Sequence, residues 1–185
     1  KELVARAIHA ESPRVDAPFV PVNAGALSGN MLESELFGHV KGAFTGATTA
    51  RDGKLVTAHG GILFLDEIES IPVHAQIQLL RVLEDGYVEP LGRDKPRKVD
   101  IRLLATSKAD LQDEVRQGRM REDFYHRIMV LPLSVPPLRE RREDIPLLIS
   151  HFSKQTADRH GIPVPELPEN TLAAFRRGIV EGTDW

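Results

Sequence analysis

Glu33-Ser-Glu-Leu-Phe-Gly-His-Val-Lys-Gly-Ala-Phe-Thr-Gly-Ala47 changes character at its middle. From Met31 to Phe37, the positions of Leu32, Leu36 and Phe37 predict one face of a short helix. Gly38, Gly42 and Gly46 then arrive at four-residue intervals and the helical pattern fails. Between two of these glycines stands Phe44, a large apolar side chain on backbone that glycine leaves free to bend. Two readings are open. Either Phe44 is offered at a loop tip to something that receives it, or it tucks back into the domain core as buried aromatics do.

The chain has 185 residues, 41% hydrophobic and 28% charged, enough for one globular domain with room for a small second one. A net charge of −3 gives no overall attraction to nucleic acid. The absence of cysteine excludes a disulfide framework and any thiolate zinc site. Seven histidines are scattered without metalloprotease spacing. No apolar run reaches membrane-spanning length and no signal peptide is present, so the expected location is the cytoplasm. Lys1 to His9 carries Leu3, Val4, Ala7 and Ile8 on one helical face, with neither initiator Met nor capping residue. The expectation is therefore a chain that begins inside a helix, and Gly178–Trp185 ends without a recognisable boundary.

The first helix is predicted to run to about Glu11, closed by Pro13. Phe19-Val-Pro-Val22 reads as a strand, and Pro21, which cannot donate to a ladder, places it at a sheet edge with Asn23 at its carboxyl end. Ile62-Leu-Phe-Leu65 is apolar throughout, the mark of a strand buried on both faces of a parallel sheet. It ends in Asp66-Glu67, where open α/β sheets bind ligands. In a phosphate site the first carboxylate can hold Mg²⁺ and the second can polarise a water. An ordinary strand end meeting solvent would read the same way.

Pro72 starts a helix with Ile77, Leu80 and Leu83 toward the core. Tyr87–Val99 reads as a hairpin whose tip carries Arg93, Lys95, Arg97 and Lys98, a nucleic-acid contact or a solvated turn. Ile101–Ala105 is a strand ending at Thr106-Ser107, followed by a helix near Asp110–Met120. Arg121 and Arg127, six positions apart, lie about 120° from each other around a helix and need not share a face. Ile128-Met-Val-Leu131 reads as another strand, and Pro136-Pro137 marks a boundary. A helix from Pro146 to about Arg159 follows, and Leu172 and Phe175 belong to a last partial one. Strands alternating with helices, then helices alone, predict an α/β domain with a helical lid.

Gly42-Ala-Phe-Thr-Gly-Ala47, preceded by Glu35-Leu-Phe-Gly-His39, resembles the signature loop of the sigma-54-dependent transcriptional activators, the bacterial enhancer-binding proteins. These are AAA+ ATPases, and the resemblance runs from Lys1 to about Leu172. It implies a P-loop-type parallel sheet flanked by helices over 1–135, and the start of an all-helical lid over 136–185. Gly42, Ala43, Phe44, Thr45, Gly46 and Ala47 would contact sigma-54, and the 87–99 hairpin would be a second pore-facing loop.

Lys1-Glu2 resembles the end of the family's phosphate loop, which makes Lys1 the lysine that reaches the β- and γ-phosphates of ATP. The preceding glycines and central strand do not appear in this stretch, which on that reading binds ATP poorly and folds with a sheet short of a middle strand. Asp66 resembles the Mg²⁺ ligand and Glu67 the carboxylate that activates water. Asn23 matches the asparagine that hydrogen-bonds this glutamate and switches it. Thr106 matches the first sensor residue, and Ser107 stands where the family usually has Asn. Arg121 and Arg127 match paired arginine fingers that reach a neighbour's ATP, so a homo-oligomeric ring, hexamer or heptamer, is implied.

Asp184-Trp185 resembles the start of the family's second sensor run, from which Gly178–Thr183 departs. Enhancer DNA would be bound by a C-terminal domain outside this stretch. Two alternatives stay open, another AAA+ remodelling ATPase with a different client and an ATPase-dead module that keeps only the sigma-54 contact.

Overall fold

The computed structural model describes residues 1–92, 95–165 and Phe175, so Arg93, Leu172, Gly178–Thr183 and Asp184-Trp185 lie outside the described residues. It divides into two units, Lys1–Pro132 and Leu133–Trp185. In the first, the order is α1 (Glu2–Ala10), β1 (Phe19–Asn23), α2 (Gly29–Phe37), β2 (Gly38–His39), β3 (Arg51–Asp52), α3 (Lys54–Thr57) and β4 (Ile62–Asp66). Then come α4 (Val73–Asp85), β5 (Tyr87–Val88), β6 (Arg97–Lys98), β7 (Arg102–Ala105), α5 (Leu111–Arg116) and α6 (Glu122–Ile128).

The main sheet is parallel, with order β1-β4-β7. Ile62, Leu63, Phe64 and Leu65 of its middle strand are all buried, as a strand covered on both faces requires. Each such side chain contributes about 1.5–3 kcal/mol of burial. Pro21 sits opposite Phe64 on the edge strand β1, where its missing N–H costs no ladder bond. Leu32, Leu36 and Phe37 of α2, Leu55 of α3 and Leu79 of α4 join the same core. The register aligns Asn23 with Asp66 and Leu65 with Ala105, so three strand ends finish side by side.

Three sequence expectations are corrected. Ile128–Leu131 forms no strand: α6 runs to Ile128, Met129 caps it, and Val130 and Leu131 are 76% and 85% exposed. A short apolar run becomes a strand only where a ladder partner exists, and none pairs with it among the described residues. On α4 Leu80 is buried and Leu83 packs on the core as expected, but Ile77 is only half-buried, and Ala75, Gln76, Leu79 and Val82 complete the buried face. Finally, α5 stops at Arg116 and an irregular turn through Gly118 carries the chain to Met120. The hairpin is present as the antiparallel β5–β6 pair.

In the second unit, short 3-10 turns at Leu138–Glu140 and Arg142–Asp144 lead into α7 (Ile145–His160). Its proline lies in the first turn, and Gly161 in the left-handed region ends it. Ile145 and Ala157 are buried, and Phe175 is helical and exposed. Among the described residues no helix is long and apolar enough to cross a membrane.

Candidate functional site

The aligned strand ends put several polar groups around one carboxylate. Thr106, directly after β7, donates its hydroxyl to Asp66 Oδ1. The Glu67 N–H donates to the same oxygen at 3.1 Å, and Asn23 Nδ2 reaches Asp66 Oδ2 at 3.4 Å. Backbone bonds from Ala24 N–H to the Asp66 carbonyl (2.9 Å) and from Ile68 N–H to the Thr106 carbonyl (3.0 Å) hold the three ends together. Lys1 arrives at the same place: its ammonium donates to the Ser107 carbonyl. The Ser107 hydroxyl is engaged in its own turn with Ala109, and Glu2 faces away into an i,i+4 pair with Arg6 at 2.7 Å.

Glu67 is the one non-glycine residue among those described with a left-handed backbone, φ 57° and ψ 53°. Such a conformation costs an L-residue about 1–2 kcal/mol and persists only when its surroundings impose it. Here the bonds from Glu67 N–H to Asp66, from Ser70 N–H to the Glu67 carbonyl (2.9 Å) and from Ile68 N–H to Thr106 impose it. The bend presses the carboxylate toward Gly25, where a Cβ would lie 2.2 Å from Glu67 Oε2. Glu67 Oε1 accepts from Lys108 Nζ at 2.5 Å, and the Lys108 N–H is fixed by Glu69 at 3.0 Å. The Glu67 carboxylate, by that hydrogen bond and by its charge, raises the Lys108 pKa above its usual range.

The expected hydrogen bond between Asn23 and Glu67 is absent. Asn23 turns its amide NH₂ to Asp66 and uses its carbonyl oxygen to accept from Ala26 N–H at 3.0 Å, while Lys108 takes Glu67. Lys108 and Gly25 escaped the sequence reading, since neither belongs to a motif. Among the described residues no cluster of three or more metal-binding side chains exists, so an all-protein cage is ruled out there. A single carboxylate supported by a hydroxyl and an amide suits Mg²⁺, which completes its shell with water and phosphate oxygens.

Arg121 caps the N-terminus of α6 and Arg127 lies in its last turn. Arg121 pairs with Asp123 at 2.7 Å, which raises its pKa, and Arg127 donates to the Leu83 carbonyl. Both are exposed. Gln76 is a further residue that motif reading missed, visible only as an amide on the buried face of α4.

The Gly42–Ala47 loop is closed by bonds from Gly42 N–H to the Ala47 carbonyl (2.8 Å) and from Ala47 N–H to the Phe44 carbonyl (3.0 Å). Gly42 and Gly46 have φ 83° and 102°, a region other residues rarely adopt. Ala47 is buried and anchors the loop, Ala43 is half-buried, and Phe44 and Thr45 are exposed. Phe44, 45% exposed, touches the His39 ring edge-on at 5.1 Å and is outside the core. A cavity lined by His39, Val40, Asp52, Val88, Pro90 and Arg97 lies at the base of this loop and not at the strand ends. Its charges are already matched, Arg97 to Asp52 at 2.7 Å.

A parallel sheet with a carboxylate pair at the carboxyl end of its middle strand defines an α/β protein that binds ligand at its strand ends. Comparison with known proteins narrows the class. The model of the sigma-54 interaction domain matches residues 1–134. The C4-dicarboxylate transport transcriptional regulatory protein DctD of Pseudomonas aeruginosa is 54% identical over 167 residues, 90% of this chain and 36% of that protein. The DNA-binding transcriptional regulator NtrC of Escherichia coli K12 is 49% identical over 177 residues, 96% of this chain and 38% of that protein. The chain thus spans well under half the length of these relatives. The crystal structure of NtrX from Brucella abortus superposes with a TM-score of 0.87 at 42% identity, over 95% of this chain and 39% of that one. NtrX in complex with ATP matches at 0.82 and 39% identity, over 96% and 41%. The chain belongs to the sigma-54 interaction domain family.

Proposed function

We propose that this chain is the ATP-hydrolysing domain of a cytoplasmic bacterial transcriptional activator, and that it remodels the closed complex of sigma-54 RNA polymerase. It works in a homo-oligomeric ring of six or seven subunits, with enhancer DNA held by a C-terminal domain outside this stretch. The observation that carries the reading is Glu67, bent into the left-handed region one residue beyond a carboxylate that already gathers three donors. Backbone strain held by surrounding bonds is concentrated at functional sites, which supports reading Glu67 as a positioned reactive group.

Bound ATP and Mg²⁺ supply the phosphoryl group and the charge that stabilises its transfer. Asp66 would ligate the ion, and Lys1, Thr106 and Ser107 would face the phosphates. Glu67 would take the proton of the attacking water, and Asn23, which here bonds Asp66, would set the pose of Glu67 only by exchanging that bond for one to the glutamate. Arg121 and Arg127 would be offered to the neighbouring subunit's site. Phe44 and Thr45 would meet sigma-54, the aromatic burying itself in the partner and the hydroxyl adding a hydrogen bond.

Glu67→Gln in the full-length protein tests the assignment, since it keeps size but removes the charge that polarises water. Turnover should fall about 10²-fold or more with ATP binding retained. Unchanged steady-state turnover would overturn the role of Glu67.

A further inference from the structure

We infer that Gln76 is a positioning residue for Arg121, an inference that rests on the trans role proposed for that arginine. Gln76 is fully buried on α4 among Ala75, Leu79 and Leu80, where a leucine or methionine would satisfy packing alone. A buried amide persists when its polar atoms are all used, and these are. Nε2 donates to the Ile71 carbonyl at 2.8 Å and to the Arg119 carbonyl at 2.9 Å, and Oε1 accepts from the Arg121 N–H at 2.9 Å.

The segment it grips is also tied to α5, by bonds from the Arg119 and Met120 N–H groups to the Glu114 carbonyl (3.0 and 3.1 Å) and from the Arg119 side chain to the Glu114 carboxylate, but none of these takes the Arg121 N–H. Between α5 and α6 the chain passes through Gly118 at φ 70°, outside any helical ladder. Arg121 is the N-cap of α6, so its N–H precedes the helical ladder and has no helical partner. One side chain therefore clamps the backbone before and at Arg121 to the start of α4. Removing the clamp frees the base of the arginine while leaving Asp66 and Glu67 untouched.

Complementation in the full-length protein tests this. Gln76→Met should lose turnover by about 10²-fold, the scale of an ångström of misplacement, with the KM for ATP changed by less than about threefold, within uniform-binding limits. Mixed with Glu67→Gln subunits it should regain activity, because the latter supply an intact Arg121 to intact sites. A merely unfolded subunit is not rescued in this way. Gln76→Glu, as the neutral acid that burial favours, keeps the acceptor for the Arg121 N–H and one O–H donor for the facing carbonyls, and should retain more turnover than Gln76→Met. If Gln76→Met does not fold, Gln76→Glu carries the mixing test, with a partial loss expected and restored. Parental turnover, or a loss that mixing fails to restore in rings where Arg121→Ala is restored, overturns the inference. If Arg121→Ala is itself not restored by Glu67→Gln, the trans role falls and the positioning role with it.

Discussion

Gly25→Ala adds one methyl group next to the proposed general base. Its Cβ would stand 2.2 Å from Glu67 Oε2 and 3.1 Å from Glu67 Cδ, against an ordinary contact of 3.4 Å or more, so the carboxylate must retreat by about 1 Å. The atom in the way is the far end of a flexible side chain, and Gly25 has no left-handed φ, so the backbone accepts alanine. Stability should therefore stay within about 1 kcal/mol of the parent, helped by the smaller entropy of the unfolded chain. Turnover should not survive so well, since a displacement of that size costs about 10²-fold. The assays are phosphate release at saturating ATP and urea unfolding on one preparation. In a Glu67→Gln background the methyl should cost less than about threefold more, because the group it displaces is already inert. Parental turnover in Gly25→Ala would refute the claim that the seat of Glu67 matters. A stability loss above about 3 kcal/mol would show that the clash falls on backbone instead.

Arg127, exposed and resting on its own subunit's Leu83 carbonyl, should when changed to alanine cost about 10³-fold in turnover, as trans-acting arginines do. Mixing with Glu67→Gln subunits should restore activity, and mixed rings that stay inactive would contradict a trans role. Arg119 grips the nearly buried Glu114 through two bonds, of 2.6 and 2.7 Å, holding that carboxyl below its ordinary 4.5. A folded-state value lowered in this way adds stability above about pH 4.5 that fades as pH falls through the lowered value. The stability gap between the parent and Arg119→Met should therefore be widest near neutral pH and shrink under acid, and a gap constant from pH 7 to 3 would contradict the pairing.

Much of the fold was legible because β1 and β4 carry strong local signals, a proline that tolerates only an edge and four apolar residues that tolerate only a centre. Asp66 and Glu67 were legible as carboxylates at the carboxyl end of an apolar strand, whereas Thr106 entered only through the family resemblance, and the register that sets it beside Asp66 is seen only in the structure. What escaped depends on tertiary placement. Ile128–Leu131 has strand composition without a strand partner. Lys108 reads as a surface charge until β7 delivers it to Glu67, and Gln76 reads as a helix filler until the 119–121 turn closes on it. The competition in which Asn23 chooses Asp66 and Lys108 chooses Glu67 is decided by distances no motif contains.

The hydrolytic role proposed for the strand ends and the partner contact proposed for the Gly42–Ala47 loop are separable at Phe44. No side chain from Gly42 to Ala47 suits phosphoryl transfer, and Phe44 lies outside the core, 45% exposed on a loop with an alanine anchor. Interface anchors of this kind commonly account for about 2 kcal/mol or more each. Phe44→Ala in the full-length protein should leave phosphate release within about threefold of the parent, as expected for a residue outside the chemistry. The gel-shifted complex with sigma-54, formed in the presence of a transition-state analogue of ATP, should disappear from the same preparation. A normal complex, or a collapse of hydrolysis in a folded protein, would contradict the account.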